Sequence, residues 1–451
     1  MRPIAEELAA FIHDLDFDRV PAEVIEKAKW CLLDWIGCAV AGLDNKGAGI
    51  LVDFALSQNS GGESTVVGHR GGSSPLWAGF ANGALSHAAE MDDGHKKAIM
   101  HGAVVTIPAA AALTQERHLS GRELLLSIIA GYEVALRTGE ATGKSHYAFW
   151  HTTATAGTFG AAAASARAMG LDAEKIADAL GTAGTQASGL WQFLDDKAMS
   201  KVLHTAKASL NGMLAAYLAD KGFTGPHRIF EGEKGFVAAT SKSPNIDALT
   251  KGLGESYKIM ESNFKVHSSC GHTHSPIDAL FKITGQYKIS PEDVRSIRLS
   301  TYTEALGLIA NPNPATPFEA MFSAPFCLAT ALVSGRVDFE SLGPEALANP
   351  VIRELANKVE IVVDPEYDRR FPSCRPTKVE VFLNNGTSVA QENFFRKGDP
   401  ENPLAREDLV AKFQNLAGNR LGPEKTEAIV KATFSIEDAS DAGLLFRMLE
   451  M

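Results

Sequence analysis

Over the first 225 residues, apolar positions recur mostly every three or four residues, the period of helices that bury one face. The first clear case opens after Asp18–Pro21 and runs through Val24, Ala28, Cys31, Leu32, Trp35 and Ile36. It stops near Gly42, with Asp44 and Asn45 as turn residues. The same period predicts helices over about 76–90, 104–117, 121–138, 153–169, 173–184 and 203–221. Their short, Gly-containing connections suit neighbours in a bundle-like domain. The stretch TAGTFGAAAASARAMG spends most of two turns on Ala and Gly, which lets backbones approach closely and suits a central buried helix.

Around 226–265 the pattern breaks into Pro, Gly and Ser, read as a linker with short helices. Beyond it, VRSIRLSTYT (294–303), VEIVVD (359–364), KVEVFL (378–383) and TSVAQEN (387–393) read as strands, with NNG at 384–386 as a turn. Helices at about 274–284 and 320–334 fall among them. After GDPENP (398–403), helical periodicity returns at 404–416, 423–432 and 438–449. The expected fold is mainly α. A large all-helical domain is formed from both chain ends (1–265 and 401–451), and a smaller α+β domain spans 266–400.

Composition narrows the function. The 451 residues are 45% hydrophobic and 22% charged, which excludes a disordered or collagen-like chain. No apolar run approaches the ~20 residues that span a bilayer. Forty-three basic against 54 acidic side chains give a formal charge of -11, which disfavours nucleic acid and anionic membrane as partners. Five cysteines with no CxxC pair do not make a disulfide framework. The expectation is a cytoplasmic protein. No dinucleotide fingerprint, GxxxxGK[ST] loop or GxSxG elbow occurs, which weakens NAD, ATP and esterase readings.

Four polar clusters carry the candidate chemistry. HAAEMDDGHKKAIMHGAV (87–104) falls between two predicted helices and puts Glu90, Asp92 and Asp93 close to His95, Lys96, Lys97 and His101. Acids beside His and Lys shift one another's pKa, as proton transfer requires; a solvated turn with local ion pairs is the bland alternative, and metal binding by Asp and His a third, although the spacing matches no metal motif. His151 and Thr152 open the Ala-rich helix, where unpaired N–H groups favour a carboxylate. In DDKAMSKVLHTAKASLNGM (195–213), Lys201, His204, Lys207 and Asn211 share one helix face amid apolar and small neighbours. A Lys pointing inward there needs a counter-anion, and a substrate can supply it. Lys265, His267, Cys270, His272 and His274 crowd ten positions of FKVHSSCGHTHSPIDAL. An anion-binding or acid–base loop is the preferred reading there, and a metal-dependent hydrolase built on His267, Cys270, His272 and His274 the alternative from a different class. A fifth element, Arg369, Arg370 and Arg375, reads as solvated charge at a strand end.

In this order, VIEKAKWCLLDWIGCAVAG, NGALSHAAEMDD, SGRELLLSIIAGYEVALRTGEA, HTTATAGTFGAAAASARAMGLD, SKVLHTAKAS, HSSCGHTHSPIDA and KGDPENPLAREDLVAKF resemble the MmgE/PrpD family over nearly the whole chain. That family includes 2-methylcitrate dehydratase, cis-aconitate decarboxylase and iminodisuccinate epimerase. The resemblance implies the two-domain fold above, with the α+β domain as a lid. It also implies a homodimer working without metal or organic cofactor on a small-molecule carboxylate. By position, Asp92 and Asp93 resemble the family's acidic pair, His101 the histidine after it, and His151 the histidine opening the Ala-rich helix. Lys201 resembles the lysine of a Lys-x-Leu-His pattern, and Lys265 the lysine opening the lid-domain loop.

The implied roles are proton transfer by His101 and His151, with Asp93 orienting one of them. Lys201 belongs to the same catalytic set, exchangeable with the histidines as base. Asp92, Lys265, Thr152, His204, His272 and His274 face the substrate. Several positions depart from the family pattern. Glu90 stands where many members have Asp, and Gly94 where the decarboxylases have Thr. VHSSCGHTH replaces PYPCCRFTH, losing an Arg, and Phe326 stands where the decarboxylase has Tyr. These departures argue against carrying over either cis-aconitate decarboxylation or 2-methylcitrate dehydration unchanged. The expected reaction is proton removal next to a carboxylate, most readily ending as a hydro-lyase, then as an epimerase or isomerase, then as a decarboxylase.

Overall fold

The structure, a computed structural model, describes residues 2–58 and 61–451. The fold is mainly α, and the chain divides into two compact units, Met1–Ser262 with Ala405–Met451, and Asn263–Leu404. Both junctions fall a few residues from the boundaries drawn on sequence, so Lys265 belongs to the smaller unit.

In the helical unit the period-based reading is matched by Ala22–Ala41, Pro75–Ala88, Ala103–Arg117, Gly121–Tyr147, Thr152–Ala168, Ala173–Gly184 and Ser200–Asp220. Thr152–Ala168 is central. It packs on Gly121–Tyr147, Ala103–Arg117, Ala173–Gly184 and Ser200–Asp220, and nearly all of it is buried. Its Ala/Gly surface is the physical reason. A Cβ added at Gly160 would lie 2.6 Å from Ala135 Cβ and 2.8 Å from the Gly131 carbonyl oxygen, so the two backbones touch where larger residues would hold them apart. Gly160→Ala is therefore expected to destabilise the protein by about 1–3 kcal/mol through overpacking, read as a shift in the urea midpoint.

Two features departed from the pattern. The predicted helix over 121–138 continues to Tyr147, with its helical geometry broken at Gly143 (φ 62°). Gly139 does not stop it. A Cβ there would come within 2.9 Å of Ala98 Cβ and 3.0 Å of its carbonyl oxygen, so this glycine admits the loop backbone that precedes His101. The supposed linker is also fixed to the helical unit. Buried Arg137 pairs with Glu133 at 2.9 Å and donates to the carbonyls of Lys251 (2.8 Å) and Ser256 (3.2 Å).

The C-terminal segment returns to the helical unit as Arg406–Leu421, which packs on Ala22–Ala41, then Pro423–Phe434. Only Gly443–Arg447 of the helix expected at 438–449 is α-helical. Lys412 and Asp34, both buried, join the two chain ends at 2.5 Å.

In the smaller unit, four strands form one sheet in the order Val359–Val363, Val294–Thr301, Thr377–Leu383, Ser388–Asn393. The first pair is parallel and the others antiparallel. The last two strands form the hairpin that NNG announced, with Gly386 at φ 89°. Alternating burial along Val294–Thr301 shows a half-covered sheet, and His274–Tyr287 packs on the last two strands. Among the described residues no helix is long and apolar enough to cross a membrane.

Candidate active site

The loop between Pro75–Ala88 and Ala103–Arg117 carries the acidic cluster, and Glu90, Asp92, Asp93 and His95 in it are buried. Glu90 turns the chain with a positive φ of 55°, and its carboxylate takes the ammonium of Lys201 from the helix Ser200–Asp220. The next carbonyl, Met91, accepts from Lys412 Nζ at 2.6 Å. Lysines from two distant segments thus clamp consecutive residues. The far end of the loop folds back, with His95 N–H on Met100 O at 2.8 Å and Ala98 N–H on His95 Nδ1 at 3.1 Å.

Asp92 and Asp93 do different things. Asp92 Oδ2 lies 2.9 Å from His87 Nδ1 and 2.9 Å from His101 Nδ1. His101 Nδ1 also lies 2.5 Å from the Asp93 carbonyl oxygen. Both neighbours are acceptors, so Nδ1 carries the hydrogen and Nε2 of neutral His101 carries the lone pair. The Asp93 carboxylate instead accepts from Tyr132 Oη at 2.8 Å and caps the next helix through Ala103 N–H at 3.0 Å. Burial pushes its pKa up. The carboxylate set against an imidazole is Asp92, whereas the sequence reading gave the orienting role to Asp93.

His151 occupies the N-cap position of Thr152–Ala168 and donates its N–H to Gly189 O at 2.9 Å. Its Nδ1 is 3.1 Å from His204 Nδ1, so one imidazole donates and the other accepts. The ring lies 4.8 Å from Trp191 and stacks on His87 at 5.7 Å. Burial, then the charges of His204, His87, Lys201 and His101, hold His151 well below the usual histidine range. Burial brings His204 down to about 4. Thr153 Oγ1 accepts from His101 N–H at 3.2 Å, which ties the acidic loop to this helix. Thr152 is buried, and its Oγ1 has no hydrogen-bond partner among the described residues.

Thus His101, His151, Lys201, Asp92, Asp93, Thr152 and His204 all belong to the helical unit. Lys265, His272 and His274 belong to the smaller unit, buried in a cluster of their own. There His272 Nδ1 meets Tyr302 Oη at 2.6 Å, His274 Nε2 is 3.3 Å from Ser269 O, and His267 Nε2 pairs with Asp278 at 2.9 Å. Burial, with the charges of Arg375, Arg396 and Lys265, keeps His272 well below its usual range.

Arg375 corrects the sequence reading. It is buried, its guanidinium lies 4.6 Å over the Phe371 ring, and it donates to Pro372 O at 2.9 Å. Packing against an aromatic face, which strand-end position does not reveal, makes the difference.

Metal-ligand geometry arises in and beside the acidic loop, and not in the His/Cys loop that composition favoured. Among the described residues, His87, Asp92 and His101, and separately His95, Glu140 and Glu261, bring ligand atoms within 4.8 Å of one another. The group His267, Cys270, His272 and His274 is not among them; its imidazoles are turned toward Asp278, Tyr302 and Ser269.

Sequence reasoning missed His87, Tyr132, the role of Glu90, and the Asp34–Lys412 pair. His87 ends an apolar helix and Tyr132 lies in the middle of one, so each looks like core. The signal for His87 was its place five residues before Asp92.

The same burial makes stability depend on pH. His95 and His146 are lowered by burial to about 3 and about 4, alongside His151 and His204. Above about pH 6.5 these groups are neutral in both folded and unfolded chains. Below it the unfolded chain takes up protons that the folded one refuses, so stability is lost as pH falls from about 6.5 toward the folded values. Glu133 and Asp34, raised by burial to about 7 and about 6, act in the opposite sense over the same window. The histidine share is therefore read as a difference: the change in Tm from pH 7 to 5 should be less unfavourable in His146→Phe than in the wild type, and an identical pH dependence in the two would contradict it.

Comparison with known proteins gives this geometry its relatives. Along 99% of this chain and 96% of its own length, cis-aconitate decarboxylase of Aspergillus terreus is 26% identical. The Homo sapiens cis-aconitate decarboxylase is 27% identical, over 100% of this chain and 95% of its own. A probable 2-methylcitrate dehydratase of Saccharomyces cerevisiae is 21% identical, over 95% and 89%. Residues 6–249 match the MmgE/PrpD N-terminal domain and residues 267–436 the MmgE/PrpD C-terminal domain. With both halves matched in order, the chain belongs to the MmgE/PrpD family.

Proposed function

We propose that the protein is a lyase acting on a small di- or tricarboxylate by removing a proton from a carbon next to a carboxylate, and that it does so as a hydro-lyase. One observation carries the reading: the Asp92 carboxylate holds His101 through Nδ1, leaving Nε2 as a base, in a shell that also contains Lys201 and two neutral histidines. Such a carbon acid is weak, so a site must neutralise the developing negative charge while a base is held at the carbon.

His101 takes the proton at Nε2, and the imidazolium that forms is stabilised by Asp92. His151, hydrogen-bonded to His204, faces the same reaction as the second proton carrier. Lys201 is held by Glu90; an ammonium has three donors, so this contact is compatible with binding a substrate carboxylate. Thr152 is assigned to substrate recognition. In the hydro-lyase the C–H electron pair becomes the new C=C bond as C–O breaks. The oxygen leaves as water after taking a proton from the Lys201 ammonium. These steps use only groups of the chain, so no cofactor is assigned, and the family resemblance supports a homodimer. Light scattering should then give twice the mass of the chain.

A second reading is decarboxylation, favoured by relatives that bear that name; epimerisation of a small dicarboxylate, by return of the proton to the other face, is a third. Incubation with a panel of di- and tricarboxylates in D₂O, followed by ¹H and ¹³C NMR, separates them. Deuterium uptake with a new alkene supports the hydro-lyase, inversion the epimerase, and released CO₂ the decarboxylase. Neither uptake nor product from any member would overturn the reading.

A further inference from the structure

His204 touches His151, and the chemistry above gives it no further task. The two imidazoles meet Nδ1 to Nδ1 at 3.1 Å, yet their surroundings differ. His151 is buried, whereas His204, in the second turn of Ser200–Asp220, is only half-buried. The pair is held from several sides. His151 N–H donates to Gly189 O at 2.9 Å. Gly189, at φ 147°, lies so close that a Cβ there would come within 3.3 Å of His204 Nδ1. Phe193 lies edge-to-face with His204 at 5.4 Å, and Trp191 covers His151 at 4.8 Å. Burial, then the charges of His87, Lys207 and Lys201, keeps His204 neutral at pH 7, as it keeps His151. One hydrogen therefore lies between the two Nδ1 atoms, and each ring has a second nitrogen free to exchange a proton.

We propose that His204 is the proton relay between solvent and the buried His151, and not a substrate contact. The inference rests on the carboxylate reading above and adds how its second proton carrier is recharged. On the inward passage a hydronium ion gives a proton to His204 Nε2. The hydrogen on His204 Nδ1 moves to His151 Nδ1, and the hydrogen on His151 Nε2 goes to the substrate. One proton enters, one leaves, and both rings end neutral with the shared hydrogen now on His151. The outward passage runs the same transfers in reverse: His151 Nε2 takes a proton, Nδ1 returns its hydrogen to His204, and His204 Nε2 releases one to water. His204 acts only through His151, so its role is positioning and relay.

The test compares the wild type with His204→Asn and His204→Gln, whose amides can still hold His151 Nδ1 but do not pass a proton on; either variant serves where the other does not fold. Deuterium uptake from D₂O is measured on the carboxylate the wild type processes, at low and at high imidazole concentration. The wild-type rate is expected to be indifferent to imidazole. The variants should be about 10²-fold slower at low imidazole, the lower end for loss of a proton-transfer group. They should recover as imidazole is raised, because the soluble ring replaces the missing one. A wild-type rate in the variants, or a deficit that imidazole does not touch, would overturn the relay and leave the carboxylate reading standing. A second readout needs no substrate: with ¹⁵N-labelled histidine, exchange of the His151 ring hydrogen with water is followed by NMR and should slow in both variants. Unchanged exchange would overturn the relay. Slowed exchange in a protein that turns over no member of the panel would support the relay and count against the carboxylate reading.

Discussion

Asp92→Asn is expected to lower turnover by about 10²–10⁴ while leaving the protein folded, the range found when a well-placed acid–base group is disabled. The amide can still occupy the space between His87 and His101, at 2.9 Å from each Nδ1. It cannot carry the negative charge that stabilises the imidazolium after proton transfer, and its NH₂ end would meet an N–H. Asp93→Asn should behave differently. Its carboxylate accepts from Tyr132 and from the first N–H of Ala103–Arg117, so the larger loss falls on stability, read as a drop in Tm. Measuring kcat and Tm on both variants separates the two roles. Equal rate losses without a difference in Tm would return the orienting function to Asp93.

The second large effect concerns the partner helices. His151→Ala and Lys201→Ala are each expected to lose at least about 10²-fold in rate with the fold retained. They differ in mechanism. Removing the His151 imidazole breaks the 3.1 Å contact with His204 and the stack on His87, so proton delivery suffers. Removing the Lys201 ammonium breaks its ion pair with Glu90, which is buried with a positive φ. That weakens the support of the loop in addition to losing the substrate contact and should raise KM as well as lower kcat. Near-normal turnover in both variants would dismiss the site.

Much of the helical unit was legible because helix period and small-residue faces are local properties. Val24 to Ile36, and the Ala/Gly run after His151, state their buried faces directly. The four strands were legible for the same reason, since each alternates or is bounded by turn residues. Helix ends were less so. Gly139 reads as a stop, yet its role is to admit Ala98 from a loop forty residues away. Among site residues, His101, His151 and Lys201 stood out because they interrupt apolar or small stretches. His87 and Tyr132 did not, because a polar atom in a core helix is recognisable only once its partner is known, and Asp92 and Asp93 are partners no period predicts. The Asp34–Lys412 pair spans 378 positions and left no local trace. Arg375 looked solvated because strand-end arginines usually are.

The central claim is that an Asp92-backed His101 removes a proton from carbon. The most direct test is deuterium uptake at that carbon in D₂O, comparing the wild type with His101→Ala on the same carboxylate. The account predicts uptake by the wild type and a loss of about 10²–10⁴ in its rate in the variant. Uptake at the same rate in both would contradict it.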